Sequence, residues 1–118
     1  MLVTVLKSKI HMATVTEAEL FYEGSISIDA DLIKEVGLIP GELVQVLNFD
    51  NGERFETYVI EGKAGSGIIG LRGPAAKRGG IGDRVIIASY AIMKEDEARK
   101  FKAKIILLDE NNKIKERK

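Results

Sequence analysis

The chain has 118 residues, is 45% hydrophobic and 31% charged, and balances 18 Lys/Arg against 18 Asp/Glu. That is the composition of one globular domain, residues 1–118, without the basic excess of a broad nucleic-acid footprint. The absence of cysteine excludes disulfides, thiolate catalysis and cysteine-bound metals, the single histidine excludes a multi-histidine centre, and no apolar run reaches the ~18 residues of a membrane span.

Residues 2–6 read as a buried strand, too short for the apolar part of a signal peptide. A second extended stretch over 9–15 places Lys9 and His11 on one face. Thr16-Glu17-Ala18-Glu19 has the spacing of a capping box and predicts a short helix running into a bend at Tyr22–Ser25. Asp29 or Asp31 caps a further helix that ends at Gly37, and Pro40-Gly41 is a turn. Residues 43–47 and 54–60 form a hairpin across Asn51-Gly52, whose residues tolerate positive φ. Residues 62–67 read as a flexible loop, 68–71 as a short strand and 72–76 as a tight loop. Residues 84–92 form the longest apolar strand, 94–100 a helix and 104–108 a last strand. Residues 109–118 form a polar C-terminal tail, mobile from 111 onward. From 94 to 118 the chain carries a net charge of +3, read as a solvated segment.

Gly41-Glu42-Leu43-Val44-Gln45-Val46 is echoed 41 positions later by Gly82-Asp83-Arg84-Val85-Ile86-Ile87. Any turn entering a strand looks like this. Equally, the echo fits a pseudo-twofold barrel with two equivalent strand entries, and many short strands favour a small barrel.

The residues that carry chemistry centre on Gly24-Ser25. A serine hydroxyl after glycine can attack the carbonyl that precedes it, and glycine allows the close approach. On the 54–60 strand, Arg54, Glu56 and Tyr58 share one face, with Phe55 and Thr57 on the other. Tyrosine keeps its proton at neutral pH and can act as an acid. Arg54 can grip a carboxylate through two parallel hydrogen bonds, or pair with Glu53 or Glu56 on the surface. Gly65-Ser66-Gly67 is the nearest thing to a phosphate cradle for pyridoxal phosphate, and it reads as a loop.

Tyr22-Glu23-Gly24-Ser25, with Lys9 and His11 upstream and Asn51-Gly52-Glu53-Arg54-Phe55-Glu56-Thr57-Tyr58 downstream, resembles the self-processing, pyruvoyl-dependent aspartate 1-decarboxylases. The likeness runs from the N-terminus to about Arg99. It implies a six-stranded double-psi β-barrel, mainly β with short helices, and a homotetramer with sites at subunit boundaries in the cytoplasm. It implies that Ser25 Oγ attacks the Gly24 carbonyl to give an ester. Elimination then cuts the chain into 1–24 and 25–118 and leaves dehydroalanine, whose hydrolysis releases ammonia. A covalent pyruvoyl group derived from Ser25 would form a Schiff base with L-aspartate, with neither a metal nor pyridoxal phosphate. Tyr58 would return the proton to Cα, giving β-alanine for pantothenate synthesis. Thr57, Gly73, Pro74, Ala75, Arg54 and Lys9 would contact substrate, supported by His11, Tyr22 and Arg72. Thr57, on the face opposite Tyr58, fits such a site only through a sharp twist or a second subunit. Arg72 and Pro74 depart from the asparagine and alanine common in the family. Arg72 is expected to bind a substrate carboxylate or face solvent, and Pro74 cannot donate a backbone N–H. Rival readings are a non-catalytic barrel that binds a partner and a small DNA-binding β-module, the latter opposed by the neutral charge.

Overall fold

The computed structural model describes residues 1–118 and is mainly β. Nine strands run in chain order as β1 (Leu2–Thr14), β2 (Glu17–Glu19), β3 (Ser25–Asp29), β4 (Leu43–Asn48), β5 (Arg54–Gly62), β6 (Ile69–Arg72), β7 (Arg84–Lys94), β8 (Lys104–Leu108) and β9 (Ile114–Arg117). Helix α1 (Ala30–Val36) follows β3, a 3-10 turn (Gly73–Lys77) follows β6, and α2 (Glu95–Lys100) follows β7.

The strands hydrogen-bond in the order β2-β6-β3-β5-β4-β7-β1-β8-β9. Only Val15 and Thr16 separate β1 from β2, and their N–H groups donate to Asp83 and Ile69 carbonyls at 2.8 Å. One bent segment therefore borders β7 at one end and β6 at the other. The order closes into a ring of six positions: β1–β2, β6, β3, β5, β4 and β7. Closure removes the exposed edges that an open sheet would carry. The expected count of six is not exact: nine strands form, of which β1–β2 occupy one of the six ring positions, and β8 and β9 extend from β1 outside the ring.

Alternate residues of every ring segment point inward. Ile10, Ala13 and Val15, then Ile26 and Ile28, Val44 and Val46, Val59, Ile69 and Leu71, and Val85 and Ile87 are all fully buried. Each of the valine, leucine and isoleucine side chains among them contributes about 1.5–3 kcal/mol by leaving water. Leu32, Ile33 and Val36 of α1 join the same core. The helix starts where Asp29 accepts from Asp31 N at 2.8 Å and stops at Gly37, φ +73°, as the sequence predicts.

The echo has a structural counterpart. Gly41 N donates to Val59 O at 2.8 Å while Val59 N donates to Glu42 O at 3.1 Å. Gly82 N donates to Val15 O and Val15 N to Asp83 O, both at 2.8 Å. Each Gly-acid pair thus clasps one valine of a neighbouring strand, with glycine φ values of +89° and +93°.

Three expectations are corrected. Residues 17–19 form a strand parallel to β6, not a helix. Thr16 Oγ1 accepts from Ile69 N at 3.0 Å, so tertiary pairing has taken the hydroxyl that the capping box needed. Ser25 at the end of the bend and the four residues after it form the wholly buried strand β3 before the helix begins. The C-terminal residues are not a mobile tail, because Ile114–Arg117 pairs with β8.

Candidate active site

Gly24-Ser25 sits where an exposed loop enters a buried strand. Phe21 and Tyr22 are exposed, whereas Ser25–Asp29 is buried throughout. Ser25 opposes Arg72 in the antiparallel β3–β6 ladder. On the other side β3 runs parallel to β5 with Ile26 opposite Val59, which brings Tyr58 level with Ser25. Tyr22, Glu23, Gly24, Ser25, Tyr58 and Ile60 line a cavity of about 420 Å³. The Ser25 hydroxyl donates to the Glu23 carbonyl at 3.3 Å, turned back toward the chain that precedes it.

The 3-10 turn packs against this loop. Gly73 has φ +65°, and a Cβ there would lie 2.4 Å from Tyr22 O and 2.9 Å from Gly24 N. Only glycine lets the turn approach this closely. Pro74 Cδ stands 3.5 Å from where a Gly24 Cβ would be, so its ring covers the glycine, and Ala75 is buried beneath.

Arg72 neither faces solvent nor stays free for a ligand. Its guanidinium meets Glu17 and Glu19 at 3.2 Å each, lies 5.5 Å from the centre of the Tyr22 ring, and leaves its side chain only 12% exposed. Its partners on β2 fell in the segment expected to be helical, so this contact was hidden in the sequence.

Thr57 and Tyr58 occupy opposite faces, as the alternation requires. Thr57 is buried, while Tyr58 is 54% exposed beside the cavity. The remaining candidates lie elsewhere in the chain. Arg54 forms no ion pair and borders a hollow with Phe49 and Glu53, while Glu53 pairs with Arg78 at 2.6 Å. Lys9 and His11 line another hollow with Ile105, Leu107 and Lys118. Burial pushes the His11 pKa down, and the Lys9 and Lys118 charges push it the same way. The His11 ring meets Phe49 edge-on at 6.0 Å, so Phe49 links the hollows of His11 and Arg54. Phe49 escaped the sequence reading because an aromatic next to a turn carries no pattern.

One group therefore surrounds the Gly24–Ser25 bond: Tyr22, Tyr58, Arg72, Gly73, Pro74 and Ala75. A second, basic group gathers around Phe49. The first defines a barrel with a serine peptide bond displayed on a cavity wall beside a phenol.

Comparison with known proteins shows the family. The model of the family described as aspartate decarboxylase matches residues 1–115. A protein named aspartate 1-decarboxylase from Chloroherpeton thalassium is 54% identical over 94% of this chain and 82% of its own length. The like-named protein from Carboxydothermus hydrogenoformans is 54% identical over 97% of this chain and 90% of its own, and that from Thermoanaerobacter pseudethanolicus 55% over 92% of each. The chain belongs to the aspartate decarboxylase family.

Proposed function

We propose that this protein is a pyruvoyl-dependent carboxy-lyase that converts L-aspartate to β-alanine and carbon dioxide for pantothenate synthesis. It first cleaves itself between Gly24 and Ser25. The observation that carries the reading is the placement of that bond, on the wall of a cavity shared with Tyr58 and against a Gly73 that no side chain could replace.

The residues fit a pyruvoyl group at position 25. Its precursor hydroxyl points back along the chain, and the cradle formed by Gly73 and Pro74 is open to backbone rather than side chain. Bound there, the group supplies a sink for the electron pair released with carbon dioxide. Tyr58, on the open side of the cavity, holds the proton that Cα receives. Thr57 assists cleavage and touches substrate from the buried face. Gly73, Pro74 and Ala75 present backbone to substrate, the contact at Pro74 coming from its carbonyl.

Lys9, His11 and Arg54 lie away from Ser25 within one protomer, and they bind the substrate's carboxylates when supplied by a neighbouring copy. Leu2, Leu43, Tyr90 and Ile92, exposed on the outer faces of β1, β4 and β7, support association into the tetramer that this requires. The reading includes a cytoplasmic location.

Intact-mass spectrometry and a β-alanine assay test the reading. Wild type is expected as two fragments, 1–24 and 25–118, and Ser25→Ala as one uncut chain without product. Tyr58→Phe should cut normally yet lose at least 100-fold in turnover. Full decarboxylation by Ser25→Ala would overturn it.

A further inference from the structure

We propose that Arg72 is a positioning residue for chain cleavage: anchored by two carboxylates of β2, it holds the Tyr22 ring and thereby fixes the loop that carries the Gly24–Ser25 bond. The inference rests on the cleavage reading above and adds to it a device specific to this chain.

Three observations carry it. First, the guanidinium is held from both sides, at 3.2 Å from Glu17 Oε1 and from Glu19 Oε2, and its side chain is nearly withdrawn from water. Second, the space it occupies is kept open. A Cβ on Gly70 would come within 3.2 Å of the Arg72 Cζ and Nη2, so glycine two residues earlier on β6 gives the guanidinium room to lie flat. Third, the face turned to Tyr22 lies 5.5 Å from the ring centre, within cation–π range. The Tyr22 carbonyl is in turn the atom against which Gly73 packs.

Leu20–Glu23 has few other restraints. All four residues are exposed, and the loop's internal hydrogen bond runs from Tyr22 N to Leu20 O at 3.0 Å. A loop so lightly held samples many backbone geometries. Attack by Ser25 Oγ on the neighbouring carbonyl needs one of them, and holding reactants in line is worth large rate factors. The Arg72 backbone already opposes Ser25 in the ladder. One residue thus fixes both sides of the bond, Ser25 through the main chain and Tyr22 through the side chain.

The full chain made by cell-free translation, with cleavage followed by intact mass, tests this. Arg72→Ala, the double variant Glu17→Gln/Glu19→Gln, and Tyr22→Leu should each lengthen the cleavage half-time at least tenfold. Tyr22→Phe, which keeps the ring, should cut at the wild-type rate. Arg72→Lys should not rescue, because an ammonium cannot span two carboxylates and lie flat on a ring. Combining Arg72→Ala with Tyr22→Leu should be no slower than the slower single variant, since both remove one contact. A wild-type rate in Arg72→Ala, or effects that multiply in the double variant, would overturn the inference. Should Arg72→Ala fail to fold, the Tyr22 pair decides, with equal rates in Tyr22→Leu and Tyr22→Phe overturning it. An uncut wild-type chain sinks the cleavage reading and this inference together. A cut wild type with an equally fast Tyr22→Leu sinks this inference alone.

Discussion

Asp29 shows how much one carboxylate can organise. It is buried at the end of β3 and accepts from Asp31 N at 2.8 Å, Gly65 N at 3.0 Å and Gly67 N at 2.8 Å. Burial alone would raise its pKa, but the three N–H donors outweigh burial and hold the carboxyl below the usual range. A depressed folded pKa contributes stability that is complete above the unfolded value, about 3.9, and is lost as pH falls through the folded one. Asp29→Ala should therefore cost about 2–4 kcal/mol at pH 7. The gap between variant and wild type should narrow toward pH 2, as the wild-type carboxylate takes up its proton. Urea unfolding at a series of pH values measures this, and a gap independent of pH contradicts it. The cap toward α1 was readable from sequence because it is local. The grip on Gly65 and Gly67 was not, since those donors come from 36 and 38 residues away.

At the scale of elements, the surprises have the same origin. The loop at 62–67 and the C-terminal residues read as loose because both are polar and rich in glycine or charge. The fold ties them to each other. Asn112 is buried at φ +59°; its Oδ1 accepts from Thr14 N at 2.8 Å, and its Nδ2 donates to Thr14 O at 2.9 Å and Gly67 O at 2.7 Å. Its side chain thus pins the β8–β9 turn to β1 and to the loop. Asn112→Ala removes three hydrogen bonds and strands their partners, and should destabilise by about 2–4 kcal/mol with faster amide exchange in β9. Unchanged exchange there would show that β9 is held by its ladder alone. Strands with strong alternation, such as 43–47 and 54–60, were legible because pairing and burial agree with local propensity. The segment 17–19 was not, because its capping pattern competes with a distant β6 and loses.

For the molecule as a whole, the barrel was legible in the many short strands, in the family resemblance and in the Gly-acid echo, whose two copies each clasp a valine of the neighbouring ring segment. The separation of Ser25 from the basic group around Phe49 within a single chain was not legible from residue pattern, because it depends on which strands become neighbours. Closure would also govern the fate of the two pieces under the proposed scission at Gly24–Ser25. The piece 1–24 carries β1 and β2, wedged between β7 and β6, with Ile10, Ala13 and Val15 inside the core. Severing the backbone there would leave that piece in place, but would turn a one-molecule fold into a two-molecule one. Cut protein denatured and then diluted should recover its circular dichroism more slowly at lower concentration, whereas uncut Ser25→Ala should recover at a rate independent of concentration. Equal kinetics at every dilution would contradict this. On the proposed cleavage, maturation would run in one direction: the chain would have a single opportunity to thread its first strand while still tethered, and a matured molecule that lost its shape would have to find its missing stave again by collision.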